Sequence, residues 1–333
     1  MPKLAKVYRG KIVESSHTGH IAVVNSNGKL LKYLGNPYRI TYARSAVKPI
    51  QAIPVLETGA ADKYALSDAD LALICSSHNG EPQHTGRVLA ILKRASISVD
   101  ALQCGTHIPL ARYVYEKLIK EGKELTSLYH NCSGKHAGML ITAKHMGETL
   151  EDYCKPEHPV QQRILKIISE IFDYEINKIK IGIDGCGVPV HALPLERLAY
   201  AFARLANPET FRPERIMACK RITEAMMNYP EMVGGTGRFC TDFMRVSQGR
   251  QFGKLGAESV YLVGDIKSGI GIAIKIEDGN TRALYPVVLE VLKQLDLLKK
   301  EQIEQLTSYY MPKLKNTRNE EIGKIVTSFK LKG

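Results

Sequence analysis

Apolar and polar residues alternate along the first forty positions of the chain. The segments KVYRGKIV and HIAVVNSNGKLLKYLG show this alternation, which has the period of a half-buried strand. Asn27 and Gly28, inside NSNGK, form the residue pair most typical of a tight hairpin turn. The N-terminal segment is therefore predicted to form strands of an antiparallel sheet.

A helical period of apolar residues dominates the middle of the chain. One helix is predicted to follow Ser45, and Ser67 is a candidate cap for a second, which ends in a buried run at Ser77. Pro82 stands in the predicted first turn of a third helix, where its missing N–H is tolerated. Further helices are predicted at 111–121, 135–146, 158–173, 195–206 and 212–228.

Strand patterns return in the last third of the chain. SVYLVGD and IGIAIKIEDG read as paired strands, and TRALYPVVLEVLKQLDLL reads as a helix. Strands at both ends with helices between them favour an α+β fold, in which the terminal strands share one antiparallel sheet. We predict a single catalytic domain over residues 1–333, with a sheet lobe at about 1–45 and 250–333 and a helical lobe at about 46–249.

Composition and charge narrow the class of protein. The chain has no apolar run long enough to span a bilayer, and its N-terminus lacks a secretory signal, which favours a cytoplasmic protein that does not bind membranes. The net charge of +12 is compatible with a polyanion partner, but no nucleic-acid-binding signature is present. We therefore predict no nucleic-acid partner, and a basic binding module remains the non-enzymatic alternative.

The segment RSAVKP at 44–49 places Ser45 and Lys48 three positions apart. Residues with this spacing lie on one face of a helix, and a buried neutral lysine can take the proton of a serine. Ser-x-x-Lys also carries the nucleophile of β-lactamases and penicillin-binding proteins. The later elements of that pattern have counterparts in YHN at 129–131 and KLG at 254–256, with KSG at 267–269 as a rival. The spacing alone is also that of a helix cap beside a solvated lysine.

Seven sequence segments, spread in order over most of the chain, add to the Ser-x-x-Lys pattern. They are RSAVKPIQAIP, CSSHNGEPQH, NCSGKHAGML, GIDGCGVP, GGTGR, KLGAESVY and IGIAIKIEDG. They resemble the Rhizobium-etli-type, or type 3, L-asparaginases, a family similar in fold to serine β-lactamases, penicillin-binding proteins and glutaminases. The resemblance implies hydrolysis of L-asparagine to L-aspartate and ammonia by a homodimer. Glutaminase or a broader amidohydrolase is the alternative, because one methylene separates the two substrates.

The resemblance also implies two serine–lysine tandems. Ser45 with Lys48 is one, and Ser77 with Lys254 is the other. One serine would attack the side-chain amide carbon while one lysine acts as general base. Ser45 is the preferred nucleophile because a serine at a helix start combines rigid placement with the helix dipole, and Ser77 remains the alternative.

A zinc ion is implied by the resemblance as well. The seven cysteines include no C-x-x-C pair, so their spacing alone predicts reduced thiols of the core. In the family, the expected ligands are Cys132, Cys186 and Lys135, with water completing the coordination. Asp184 is expected to orient the ligands or the water. The zinc is expected to hold the substrate rather than to drive the reaction.

L-Asparagine carries both a carboxylate and an ammonium group, so its binding requires opposite charges. Arg44 is predicted to bind the carboxylate with two hydrogen bonds, and Glu14, the single acid of the first fifty residues, is predicted to bind the ammonium. His78 and Asp184 complete the predicted substrate-binding set. GGTGR at 234–238 lacks the ending of a phosphate-binding loop and is predicted to be a tight turn near the site.

Overall fold

The computed structural model describes all residues from Met1 to Gly333. Its contacts divide the chain into two compact units. The sheet unit comprises Met1–Ala46, Leu193–Asn207 and Asp242–Gly333, and the helical unit comprises Val47–Ala192 and Pro208–Thr241. Residues 193–207 and 242–249 belong to the sheet unit, although they were expected in the helical lobe, and the predicted lobe bounds stay a prediction. The grouping of both units into one catalytic domain stays a prediction.

The strands lie mainly at the two ends of the chain. They are β1 Lys3–Arg9, β2 Ile12–Asn25, β3 Leu30–Leu34, β4 Ile40–Tyr42, β5 Lys180–Ile183, β6 Pro189–Pro194, β7 Gln251–Gly256, β8 Val260–Asp265, β9 Ile270–Ile276, β10 Lys313–Lys315 and β11 Glu321–Thr327.

One eight-stranded sheet forms the centre of the sheet unit. Its order is β10-β11-β1-β2-β9-β8-β7, with β3 added beside β2, and its strand pairs are antiparallel. β2 and β9 pair from Gly19↔Ile276 to Asn25↔Ile270, so N-terminal and C-terminal strands share this sheet. The predicted α+β class is confirmed.

The helices fill the remainder of the chain. They are α1 Lys48–Gln51, α2 Ile53–Glu57, α3 Ala60–Lys63, α4 Asp68–Ile74, α5 Pro82–Arg94, α6 Arg112–Lys120, α7 Ser133–His145, α8 Pro159–Phe172, α9 Leu195–Ala206, α10 Pro213–Asn228, α11 Pro230–Val233, α12 Phe239–Ser247, α13 Thr281–Gln294, α14 Lys300–Gln305 and α15 Thr307–Tyr310. None of them combines the length and apolar character that crossing a bilayer requires.

Most of the predicted helices are confirmed, and one is divided. Ser67 caps α4 in a reciprocal arrangement with Asp70, and Pro82 begins α5, as the sequence predicts. The helix expected after Ser45 is instead a one-turn 3₁₀ helix at Arg44–Val47 followed by the short helices α1 and α2. Prolines in the first turns of both short helices explain the interruptions, because proline cannot donate to the preceding turn.

Helix α9 belongs to the sheet unit because it packs on one face of the sheet. It contacts β2, β8 and β9, and its Phe202 side chain is fully buried. Gly271 on β9 permits this approach, since a Cβ at that position would overlap the carbonyl oxygen of Ala199. Burial of a phenylalanine contributes about 1.5–3 kcal/mol, so α9 is part of the core that the sheet needs.

Close packing of α4 against α7 organises the helical unit. Helix α7 is buried from Ser133 to Ala143. Gly134 and Gly138 lie one turn apart on the face that meets α4. A Cβ on Gly134 would overlap the carbonyl oxygen of Leu73, and one on Gly138 would lie 2.7 Å from the Ile74 side chain. The two glycines thus bring the end of α4 to the start of α7, where the candidate site residues lie.

Candidate active site

A buried lysine and a serine meet where α4 ends. Lys48, the first residue of α1, is 1% exposed, and its Nζ lies 3.1 Å from Ser77 Oγ and 3.1 Å from Cys132 Sγ. It also donates to the carbonyl oxygen of Ser76. An amine in hydrogen-bond contact with a serine hydroxyl is placed to accept the serine proton. The helical unit therefore brings Lys48 together with Ser77.

The backbone around Ser77 is held from two sides. The Ser77 N–H donates to the carbonyl oxygen of Val233 at 3.1 Å, and the His78 N–H donates to that of Asn131 at 3.2 Å. Neither N–H is available to stabilise an oxyanion, because each already has a carbonyl acceptor. Stabilisation of a tetrahedral intermediate at Ser77 must come from other groups.

Two thiols and a second buried lysine lie at the start of α7 and in the turn between β5 and β6. Lys135 Nζ donates to Cys186 Sγ at 2.9 Å, and the side chains of Cys186 and Cys132 share a hydrogen bond. That hydrogen bond, aided by the positive charges of Lys48 and Lys135, holds the pKa of Cys132 well below its usual range. The same bond and burial raise the pKa of Cys186. Within the pair, Cys132 thus has the lower pKa and Cys186 the higher.

Lys135 stays charged in this surrounding. Burial acts to lower its pKa, but the neighbouring Cys186 and Cys132 outweigh burial, and its pKa lies above the ordinary value. The charge of Asp184 adds to the same effect. Asp184 opens the turn between β5 and β6, where its Oδ1 accepts from the N–H of Gly185 at 2.9 Å. Opposite charges therefore compensate one another in this buried group.

Two sulfur atoms and one nitrogen converge in this group, which matches the donor set expected for zinc. No cluster of three or more His, Cys, Asp or Glu side chains suited to a metal ion is present. Lys135 lies beside Cys186, and its role as a zinc ligand with Cys132 and Cys186 stays a prediction. Metal binding would require both cysteines as thiolates and a neutral Lys135 amine.

The loop GGTGR forms a tight turn against the segment that follows Ser77. Asn79 Nδ2 donates to the carbonyl oxygen of Thr236 at 3.0 Å, and Arg238 Nη1 donates to Asn79 Oδ1 at 2.8 Å. Gly235 has a φ of +108°, and a Cβ there would lie 2.6 Å from the Asn79 amide. The prediction of a tight turn beside the site is confirmed within the helical unit.

The other predicted site residues lie in the sheet unit. Lys254 on β7 is buried and its Nζ donates to the carbonyl oxygen of Leu255 at 2.9 Å. Arg44 and Ser45 lie in the one-turn helix at Arg44–Val47, with Arg44 at a φ of +49°. The tandem of Ser45 with Lys48 and that of Ser77 with Lys254 both stay predictions, as does the role of Arg44.

Glu14 has a partner other than a substrate. Its carboxylate on β2 accepts a hydrogen bond of 2.8 Å from Arg9 Nε, and 45% of its side chain is exposed. His78, by contrast, is fully buried with both ring nitrogens in hydrogen bonds. The substrate-binding roles expected of these two residues stay predictions.

Sequence reasoning missed the connections that join the segments of the site. The contact of Lys48 with Ser77 crosses 29 positions, and that of His78 with Ser133 crosses 55. Residues so far apart in the chain form no local sequence pattern from which their contact could be predicted. Their place within the segments that resemble the asparaginase family was the one indication that these four residues lie in the site.

A family model matches residues 5–327, nearly the whole chain. The match defines the class of protein, a hydrolytic enzyme that acts on amides. The family is described as L-asparaginase II, and this chain belongs to it. The resemblance to asparaginases is thereby confirmed. No curated protein sequence matches the chain significantly.

Several solved structures are similar to the chain at low identity. A β-lactamase from Mycobacterium bovis has 14% identity and a TM-score of 0.40, with 88% of this chain and 95% of that chain covered. A D-alanine carboxypeptidase from Burkholderia cenocepacia has 16% identity and a TM-score of 0.38, with 82% and 93% covered. The fold assignment rests on the strands and helices themselves.

Proposed function

We propose that the protein hydrolyses L-asparagine to L-aspartate and ammonia, with Ser77 as nucleophile and Lys48 as general base. The main observation in support is the buried contact of 3.1 Å between Lys48 Nζ and Ser77 Oγ. Membership of the L-asparaginase II family supports the activity in general. Ser45, which the sequence alone favours, is the alternative nucleophile.

The reaction follows from this contact in two halves. Ser77 Oγ attacks the side-chain amide carbon while its proton passes to Lys48 Nζ, and the ammonium formed there lies beside the developing negative charge. Lys48 then returns the proton to the leaving nitrogen, which departs as ammonia and leaves an acyl ester on Ser77. Lys48 then deprotonates a water molecule, which attacks the ester carbon. The bond between that carbon and Ser77 Oγ breaks, Oγ takes the proton back from Lys48, and aspartate is released. The amine must be neutral before each attack.

Zinc is the proposed metal of the site. Cys132, Cys186 and Lys135 would hold it, because their sulfur and nitrogen atoms converge and suit this ion. When bound, it would supply positive charge for the carboxylate or a coordination position for the amine of the substrate. Asp184 would compensate charge nearby. The family resemblance and the thiol–amine cluster support this proposal.

The proposed function is tested by incubating the purified protein with L-asparagine and measuring ammonia release, with and without added zinc. Release from asparagine supports the proposal, and its absence under both conditions contradicts it. L-Glutamine provides the comparison for selectivity. A pocket that distinguishes one methylene gives about a 10- to 200-fold difference in kcat/KM, so similar values for the two amides would favour the broader amidohydrolase.

A further inference from the structure

His78 makes two hydrogen bonds to the segment that carries Cys132. Its backbone N–H donates to the carbonyl oxygen of Asn131 at 3.2 Å, and its ring Nε2 lies 2.9 Å from Ser133 Oγ. The two contacts flank Cys132 on either side. The residue next to Ser77 thus contacts the segment in which Cys132 lies beside Lys48.

The hydrogen bonds of the His78 ring determine its tautomer. The N–H of Gly80 donates to Nδ1 at 3.0 Å, so Nδ1 is the acceptor and the proton of the neutral ring lies on Nε2. Ser133 Oγ donates its own proton to the carbonyl oxygen of Leu128 at 2.9 Å. It therefore accepts from His78 Nε2–H. Burial, with the neighbouring His84 and Lys48, holds the pKa of His78 well below its usual range and keeps the ring neutral.

A second buried histidine fixes the plane of the ring. His84 stacks on His78 with ring centroids 5.0 Å apart and an interplanar angle of 14°. Its Nδ1 accepts from the N–H of Glu81, and its Nε2–H donates to the carbonyl oxygen of Glu231 at 2.8 Å. Glu231 lies two residues before Val233, whose carbonyl accepts from the Ser77 N–H. The hydrogen bonds of the two histidines therefore connect the backbone near Ser77 to residues 131–133 and to residues 231–233.

Lys48 needs this arrangement because its Nζ contacts both segments. It lies 3.1 Å from Ser77 Oγ and 3.1 Å from Cys132 Sγ. A shift of the Cys132 segment relative to Ser77 would lengthen one of these contacts and turn the amine away from the serine. A misplacement of about 1 Å in such a constellation costs roughly 100-fold in rate.

We propose that His78 is a positioning residue that joins the serine–lysine pair to the Cys132–Lys135–Cys186 group through its Nε2–H bond to Ser133, without contacting substrate. The inference rests on the proposed function and assigns His78 a part in it. It replaces the substrate-binding role that the sequence suggested.

Two substitutions of His78 distinguish the hydrogen bond made by Nε2 from the one made by Nδ1. His78→Gln retains a side-chain N–H where Nε2 donates to Ser133, whereas His78→Asn retains only the acceptor for Gly80. We expect His78→Asn and Ser133→Ala to lower kcat about 10- to 100-fold with little change in KM, and His78→Gln to retain more of kcat. The double variant His78→Asn/Ser133→Ala should be no worse than either single variant. His145→Asn, at the opposite end of α7, is the control with unchanged kcat.

A readout independent of turnover is the rate at which iodoacetamide labels Cys132 in the metal-free protein, mapped by mass spectrometry. We expect faster labelling in His78→Asn and Ser133→Ala than in the wild type and in His145→Asn.

The proposal would be overturned if His78→Asn and Ser133→Ala both had the kcat and the labelling rate of the wild type. A raised KM with unchanged kcat would also overturn it, because that result marks a substrate contact. If His78→Asn does not fold, Ser133→Ala decides. If the wild type releases no ammonia, the proposed function fails and labelling alone decides the role of His78.

Discussion

Lys48 Nζ lies 3.1 Å from Ser77 Oγ, although 29 positions of the chain separate the two residues. Both side chains are buried, with Lys48 1% and Ser77 7% exposed. The lysine of the Ser-x-x-Lys segment thus contacts a serine outside that segment, and its tandem with Ser45 stays a prediction. The contact therefore changes which serine is expected to carry the acyl group.

Ser77→Ala and Lys48→Met are each expected to lower kcat by roughly three orders of magnitude or more, because each removes one member of the nucleophile–base pair. Ammonia release measures the loss, and thermal unfolding confirms the fold. Ser247→Ala is the matched control, since it removes a buried hydroxyl that donates only to the carbonyl oxygen of Phe243.

Ser45→Ala distinguishes the two candidate nucleophiles. We expect it to remain able to form an acyl ester, detected by mass spectrometry of rapidly quenched enzyme on the peptide that contains Ser77. An ester on the peptide that contains Ser45 in the wild type, with activity retained in Ser77→Ala, would assign the chemistry to Ser45 instead.

Removal of one zinc ligand is expected to remove the metal. Cys132→Ala, Cys186→Ala and Lys135→Met should each contain much less zinc than the wild type, because a site with two protein donors binds zinc weakly. Elemental analysis after dialysis measures the content. Cys219→Ala is the control, since Cys219 is a fully buried cysteine of α10. Unchanged zinc in all three ligand variants would disprove the site.

Stability is expected to fall as the pH drops below about 6.5, the ordinary pKa of histidine. Burial lowers the pKa of His84 and lowers that of His191 to about 4. Below pH 6.5 the unfolded chain therefore binds protons that the folded chain does not, and the free energy of unfolding decreases. For His191 the loss is about 1.4 kcal/mol per pH unit between pH 6.5 and about 4. Urea unfolding at pH 7.5, 6 and 5 measures it, and an unchanged midpoint would contradict the expectation.

Turnover is expected to increase toward alkaline pH, since the lysine base must be neutral to accept the serine proton. The measurement is kcat/KM for asparagine across pH 6 to 10, restricted to conditions where thermal unfolding shows an intact fold. This restriction separates loss of the base from the acid-induced loss of stability. A profile that is flat or highest on the acid side would exclude a lysine base.

Gly134→Ala is expected to destabilise the protein by about 1–3 kcal/mol, because its Cβ would overlap the carbonyl oxygen of Leu73 and push α7 away from α4. Activity should fall as well, since this contact brings Cys132 to Lys48. Gly86→Ala in α5 is the matched control. A Cβ there has no atom within 4 Å, and the better helix propensity of alanine should add about 0.5–1 kcal/mol of stability. Equal stability of the two variants would show that the α4–α7 contact tolerates a methyl group.

Local patterns predicted the elements whose signals lie within a few residues of one another. The alternation at the N-terminus gives β1 and β2, and Ser67 and Pro82 mark the starts of α4 and α5. The segment after Ser45 was the exception, because Pro49 and Pro54 divide one expected helix into a 3₁₀ turn and the two short helices α1 and α2. The place of α9 was also missed, since the face that a helix covers depends on which strands lie beside it.

By itself, the sequence determined the α+β class, most of the helices and strands, and the asparaginase family, because each follows from local periodicity or from ordered phrases. Tertiary structure alone decided that Lys48 meets Ser77 and that His78 meets Ser133. The contact of His78 with Ser133 exists because Gly134 and Gly138 let α7 pack directly on α4, which brings together side chains that are distant in the chain. The three-residue spacing of Ser45 and Lys48 carries no information about that packing, so it could not predict the contact of Lys48 with Ser77.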